Sequence, residues 1–166
     1  NLVYAMVTHL HNDHIGTAKD MIPGEHGFGL SGITQVGSLI HFNTFVDRGY
    51  PDYDFPSREK VLAADKGFME DYMKFVNYSA ANGTDAQKFQ VGSNRQFTMV
   101  NDPKKYAKSF EIRNLCANGE VWTGEGMETI RYYDLNDENI TGKQHENTKS
   151  LVLRMDYGPF SYYTGG

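Results

Sequence analysis

An apolar run at residues 2–8 (LVYAMVT) leads directly into His9-Leu10-His11-Asn12-Asp13-His14, so three of the six histidines and one aspartate lie within six residues at the end of a predicted strand. That junction constrains the chain more than any other feature. A strand that stops at a crowd of imidazoles must turn, and the following residues, Ile15-Gly16-Thr17 and then 18–21, predict a turn and a short helix. Strand-to-helix junctions are where α/β proteins place their sites. A single histidine is ordinarily a surface or hydrogen-bonded core residue. Packing gives no reason to gather three imidazoles and a carboxylate in so short a stretch, and imidazoles that become cationic together repel unless a metal or an anion holds them. Imidazole and carboxylate are ligands that zinc, manganese or iron accept, and two histidines one residue apart can close on one ion where the backbone turns.

Downstream, the pattern predicts one domain of mixed α/β (α+β) character over residues 1–166, with a polar insertion around 24–56. In that insertion, 24–29 is a glycine-rich loop, 31–40 a short helix or partly irregular, 42–46 a strand and 47–56 a loop rich in Gly and Pro. A helix is expected after Pro56, capped by Ser57, with Val61, Leu62, Phe68, Met69, Tyr72, Phe75 and Val76 at helical spacing and an end near Asn82-Gly83. That apolar stripe is the kind of face a helix packs on a sheet. Strands are expected at 88–91, 96–100, 110–116 and 120–122, with Asn118-Gly119 as a two-residue hairpin turn. A second hairpin joins 151–155 to 160–164 through Asp156-Tyr157-Gly158-Pro159.

Composition narrows the function classes. With 39% hydrophobic and 13% aromatic residues the chain is able to bury a core, unlike a disordered sequence. No apolar run is long enough to span a membrane, and the start carries no signal-peptide pattern. The single cysteine, Cys116, excludes an intrachain disulfide and reads as a packed strand thiol. A net charge of −5 argues against a surface that coats nucleic acid, although it says little about a metal pocket. Gly124-Glu125-Gly126 lacks the continuation of a phosphate-binding loop.

The ordered string His-x-His-x-Asp-His after an apolar strand resembles the signature of the metallo-β-lactamase superfamily of hydrolases. The resemblance implies an αββα sandwich, here incomplete at both ends, and two divalent metal ions, zinc before manganese or iron. It implies that His9 and His11 bind the first ion, that Asp13 and His14 bind the second, and that Asp13 belongs to the catalytic set. The end of the chain resembles the same family, where a hairpin of this kind closes on Thr-Gly-Asp or Gly-Gly-Asp; an Asp after Gly166 and a later His are therefore expected outside the 166 residues, which read as an interior portion of a domain. Such a portion is expected to leave a sheet face or edge uncovered.

In many relatives the first ion takes a further His just before the Ser that opens the final hairpin. Here the corresponding string is Gln144-His145-Glu146-Asn147-Thr148-Lys149-Ser150, which makes His145 a candidate third ligand. The Asn and the Gly-Gly ending resemble the ComEC-like subgroup, which makes Asn147 a candidate for supporting the ligands from behind. His26 and His41 are not expected to be ligands, and the loop 47–55, with aromatic residues among carboxylates, reads as surface packing. The implied activity is metal-dependent hydrolysis of a phosphodiester or other ester-type bond, on a small-molecule, nucleotide or nucleic-acid substrate. A non-catalytic metal-binding or interaction module is the alternative, and oligomer formation is left open.

Overall fold

The strands sort into two sheets. In the computed structural model, which describes residues 1–134, 136–138 and 143–166 and only the backbone of 143–145, β1 (Leu2–Met6), β2 (Phe42–Asp47) and β3 (Asp85–Lys88) form a parallel sheet in the order β1-β2-β3. β4 (Phe110–Ala117), β5 (Glu120–Trp122), β6 (Thr129–Arg131), β7 (Val152–Tyr157) and β8 (Phe160–Gly165) form an antiparallel sheet in the order β6-β5-β4-β7-β8. Side chains alternate across a strand, and both faces of the parallel sheet are covered. Ala5 and Phe45 belong to the core shared with the helices; Tyr4, Met6 and Val46 pack with Ile112, Ala117 and Leu153 of the antiparallel sheet.

The helices are α1 (Asn12–Ile15), α2 (Ile33–Leu39), α3 (Arg58–Leu62), α4 (Met69–Ala81) and α5 (Pro103–Tyr106). The longest, α4, buries Met69, Tyr72, Met73, Phe75 and Val76, and Phe75 meets Phe45 of β2 edge-on with ring centroids 6.1 Å apart. Burial of side chains this large contributes about 1.5–3 kcal/mol each. Among the described residues no helix is long and apolar enough to cross a membrane. Strand β8 is an edge strand that leaves Phe160, Tyr162 and Tyr163 exposed.

Several expectations need correction. The single helix after Pro56 is two helices: Ser57 does cap α3, its hydroxyl accepting from Lys60 N, but Gly67 takes φ +100 and cannot continue a right-handed helix. The break lets α4 start afresh and bury Phe68 and Met69. Strand 88–91 lies earlier, as β3, because Asp85 to Lys88 pair with Thr44 to Asp47 of the buried β2 while Phe89 leaves the sheet to fill the second core. Residues 96–100 form no strand; Phe97 packs on Tyr4, and the Gln96 side chain serves the backbone at Gln90 N and Lys88 O. Strand β6 and helix α5 were not expected, although Asp102-Pro103 is a helix-start pattern. The first hairpin forms as read, with Asn118 and Gly119 at φ +52 and +73; the second forms with a tighter turn than expected, because Asp156 and Tyr157 pair with Ser161 and Phe160 and leave only Gly158-Pro159 as the connection.

The carboxylate at the end of β2 fixes the loop that follows. Asp47 is fully buried and accepts from Gly49 N and Tyr50 N, each 2.8 Å away, and from the hydroxyls of Tyr53 and Tyr72, each at 2.7 Å. Burial beside this carboxylate raises both tyrosine pKa values well above 10, so both hydroxyls stay donors. Tyr53 therefore belongs to the core, which corrects the surface-packing expectation for that part of the loop. Asp47→Ala leaves four donors without their acceptor, and urea unfolding is expected to show a loss of about 3 kcal/mol; a loss below about 1 kcal/mol would mean that Asp47 is not what holds the loop.

Candidate metal centre

The parallel strand β1 ends by handing its chain to both sheets. Val7 N donates to Val46 O of β2 at 3.0 Å, and Thr8 O accepts from Leu151 N, next to β7, at 2.8 Å. His9 and Leu10 then turn inward and are buried, and His11 caps α1 with an extended backbone, its carbonyl receiving the amides of His14 and Ile15. Gly16 ends α1 at φ +109, where a Cβ would lie 2.5 Å from Ser31 O. The histidine string thus sits at the end of a strand, as the sequence predicts, and that strand is parallel to its neighbour. Two local details differ: Asp13 and His14 lie inside α1, and the segment after the cluster is only a 3₁₀ turn at Ala18–Asp20.

Three imidazoles come together. His9 Nε2 is 3.0 Å from His11 Nδ1, and the Thr8 hydroxyl is 3.3 Å from His9 Nδ1 and 3.2 Å from His14 Nδ1. A hydroxyl oxygen able to receive Nδ1–H from both rings leaves Nε2 of His9 and of His14 as the free lone pairs. His14 Nε2 lies 3.6 Å from Asp13 Oδ2, whose side chain is largely exposed. Burial, and then the neighbouring His14 and His11, lower the pKa of His9 from its ordinary 6.5 to about 4, against the weaker pull of Glu146 and Asp13. His9 is therefore neutral near pH 7, the form in which imidazole binds a metal.

The cluster rests on buried charge. Glu146 Oε1 accepts from Leu10 N at 3.1 Å and from Arg48 Nε, and Lys149 Nζ lies 3.7 Å from Glu146 Oε2. All three ionisable residues are at most 2% exposed. Arg48 Nη1 also donates to Phe55 O and to Asn118 Oδ1, and Asn118 Nδ2 returns a bond to Arg48 O. From the other side, β8 brings Gly166 so close that a Cβ there would stand 2.4 Å from His9 Nδ1 and 2.6 Å from Thr8 Oγ1.

The sequence-predicted residues are distributed as follows. His9, His11 and His14 gather, with Asp13 beside His14. The side chain of His145 lies outside the described residues. Asn147 is exposed, its carbonyl accepting from Ser150 N. His41 is exposed, and His26 stacks on Tyr78 with ring centroids 4.2 Å apart. Among the described residues no group of three or more His, Cys, Asp or Glu side chains is placed to hold a metal ion; the rings of His11 and His14 each lie against His9, and Asp13 lies against His14. A cleft of about 260 Å³ lined by Phe97, Met99, Tyr106 and Phe110 does not include the cluster. Sequence reasoning passed over Glu146, Arg48 and Thr8. Only the position of Thr8 at the end of the apolar run, directly before His9, was a signal; Glu146 and Arg48 sit in tracts whose composition reads as exposed.

Comparison with protein families, with curated proteins and with solved structures finds no match for this chain. The lowered pKa of His9 has a consequence for stability. Between pH 6.5 and about 4 the unfolded chain binds a proton that folded His9 refuses, so the stabilisation is complete above 6.5 and is lost as pH falls through about 4. Urea titrations of metal-free protein are expected to show a fall on the order of 2–3 kcal/mol across that window, and His9→Gln to remove most of it; an unchanged pH dependence in the variant would refute the assignment to His9.

Proposed function

We propose that the chain carries part of a dinuclear metal centre of metallo-β-lactamase type, used to hydrolyse an ester-type bond, with phosphodiesters favoured. The observation that carries the reading is the 3.0 Å approach of His9 Nε2 to His11 Nδ1 at the end of a parallel strand. Two nitrogens bound to one tetrahedral zinc at about 2.0–2.1 Å are separated by about 3.3 Å, so this pair is already near ligating separation. The donor chemistry also fits, since a neutral buried imidazole is what such a site requires. In this reading His9 and His11 hold the first ion, Asp13 and His14 the second, and zinc is preferred over manganese or iron. His145 is proposed as a further ligand and Asn147 as a support behind the ligands. The helices on one face of the sheet that holds β1, and the antiparallel sheet on its other face, are consistent with part of an αββα sandwich.

When bound, the two ions would activate water near neutral pH and neutralise charge that develops on the ester. This chain's own residues do the rest. Thr8 holds the rings of His9 and His14 so that their Nε2 atoms face outward from the hydroxyl. Burial keeps His9 unprotonated, and the exposed Asp13 leaves its carboxylate open to an incoming group. A non-catalytic metal-binding module is the second reading, favoured by the finding that among the described residues no three ligand side chains are placed to hold one ion together.

Metal analysis and turnover separate the two. Reconstituted full-length protein is expected to hold about two ions per chain and to hydrolyse bis(p-nitrophenyl) phosphate faster than a lactone or a lactam. His11→Ala is expected to lose one of the ions together with turnover. Two bound ions with no turnover of any of the three substrates would favour the binding module, and no bound metal would defeat both readings.

A further inference from the structure

We infer that Glu146 is the positioning residue of the His9–His11 turn, setting the geometry of the candidate metal centre through the backbone of Leu10. The inference rests on the metal reading above and assigns a role to a residue that reading does not use. Leu10 lies between the two paired histidines, its side chain is fully buried, and its amide donates to Glu146 Oε1 at 3.1 Å from 136 positions away in the chain. The peptide that carries this amide joins His9 to Leu10, so its orientation sets the direction in which the His9 and His11 side chains leave the chain.

Glu146 is itself held. Arg48 Nε donates to the same Oε1, while Lys149 Nζ stands 3.7 Å from Oε2. Arg48 is fixed in turn by Phe55 O and by the reciprocal pair it forms with Asn118 in the β4–β5 hairpin. One oxygen thus ties the histidine turn to the end of β2, to the second sheet and to the 3₁₀ segment Lys143–Lys149. A carboxylate present only to balance buried cations has no need of the Leu10 amide. Outer partners that orient ligands ordinarily influence metal affinity strongly, by about 10–100-fold.

Two conservative variants separate positioning from charge balance. Glu146→Gln keeps an oxygen at the same reach and drops the charge; Glu146→Asp keeps the charge and withdraws the oxygen by one methylene. Positioning predicts that Glu146→Asp weakens zinc binding about 10–100-fold in chelator competition, whereas Glu146→Gln stays within about threefold of the parent. In metal-free protein, hydrogen exchange at the Leu10 amide is expected to accelerate in Glu146→Asp, with the ring nitrogen signals of His9 and His11 shifting, and to hold in Glu146→Gln. Parent-like affinity and Leu10 protection in Glu146→Asp, or a larger loss in Glu146→Gln than in Glu146→Asp, would overturn the inference. If the parent protein takes up no zinc, the metal reading fails, and the Leu10 exchange and ring signals still decide whether Glu146 holds the turn.

Discussion

The Glu146 carboxylate is where three pieces of chain distant in sequence meet, and the path of the histidine turn depends on it. It receives the Leu10 amide and Arg48, faces Lys149, and is shut away from water with both. Taking three ionisable groups out of solvent costs several kcal/mol for each ion that stays charged. The fold offsets that cost by supplying fixed partners: Phe55 O and Asn118 for Arg48, and Glu146 for Lys149. Burial also lowers the pKa of Lys149, more than its attraction to Glu146 raises it, which eases release of its proton. A buried ion cluster adds little net stability compared with apolar packing. What it does add is direction, because a carboxylate with two fixed cations has few orientations, and the Leu10 amide must accept the one that results.

A second buried carboxylate divides the labour. Asp47 stands next to Arg48 at the end of β2, yet it binds none of the same groups; it gathers Gly49, Tyr50, Tyr53 and Tyr72 on the helix side. Successive residues of a strand point to opposite faces. Asp47 therefore anchors the loop that leads to α3 and α4, while Arg48 reaches toward the second sheet and the histidine turn. The carboxyl end of β2 sets both the helical layer and the site, and this explains why a tract that reads as an exposed acidic and aromatic loop contains some of the most buried polar residues in the chain.

Local signals were legible in proportion to how little they depended on distant partners. The strand before His9, the Ser57 cap, the Asn118-Gly119 turn and the final hairpin each follow from a few adjacent residues, and each forms. The gathering of His9, His11 and His14 is also local, being set by a strand end and one helical turn. Strand β3 was misplaced because its sequence, DAQK, carries no strand preference and is recruited by the exposed backbone of β2. Residues 96–100 alternate like a strand, but Gln96 satisfies the backbone groups that a neighbouring strand would otherwise take. Glu146 and Arg48 could not be recognised as buried, because each charge is compensated by a partner far away in sequence.

The electrostatics of the cluster point to a role beyond packing. If Thr8 receives Nδ1–H from His9, then His9 presents a bare Nε2 to His11, and the 3.0 Å separation is tolerable only when His11 Nδ1 carries a proton between them. The pair then holds one shared proton in a place where two lone pairs would repel without it. A divalent cation satisfies the same two lone pairs at nearly the same separation, with the proton of His11 moving to its own Nε2 as the cation enters. Proton and metal thus compete for one position, and burial together with the neighbouring imidazoles keeps His9 from taking up a second proton that would close its Nε2 to a cation. An arrangement selected only for packing would gain by replacing one of these rings with an apolar side chain; keeping two of them against one hydroxyl and a third against His9 makes sense where the lone pairs themselves are used.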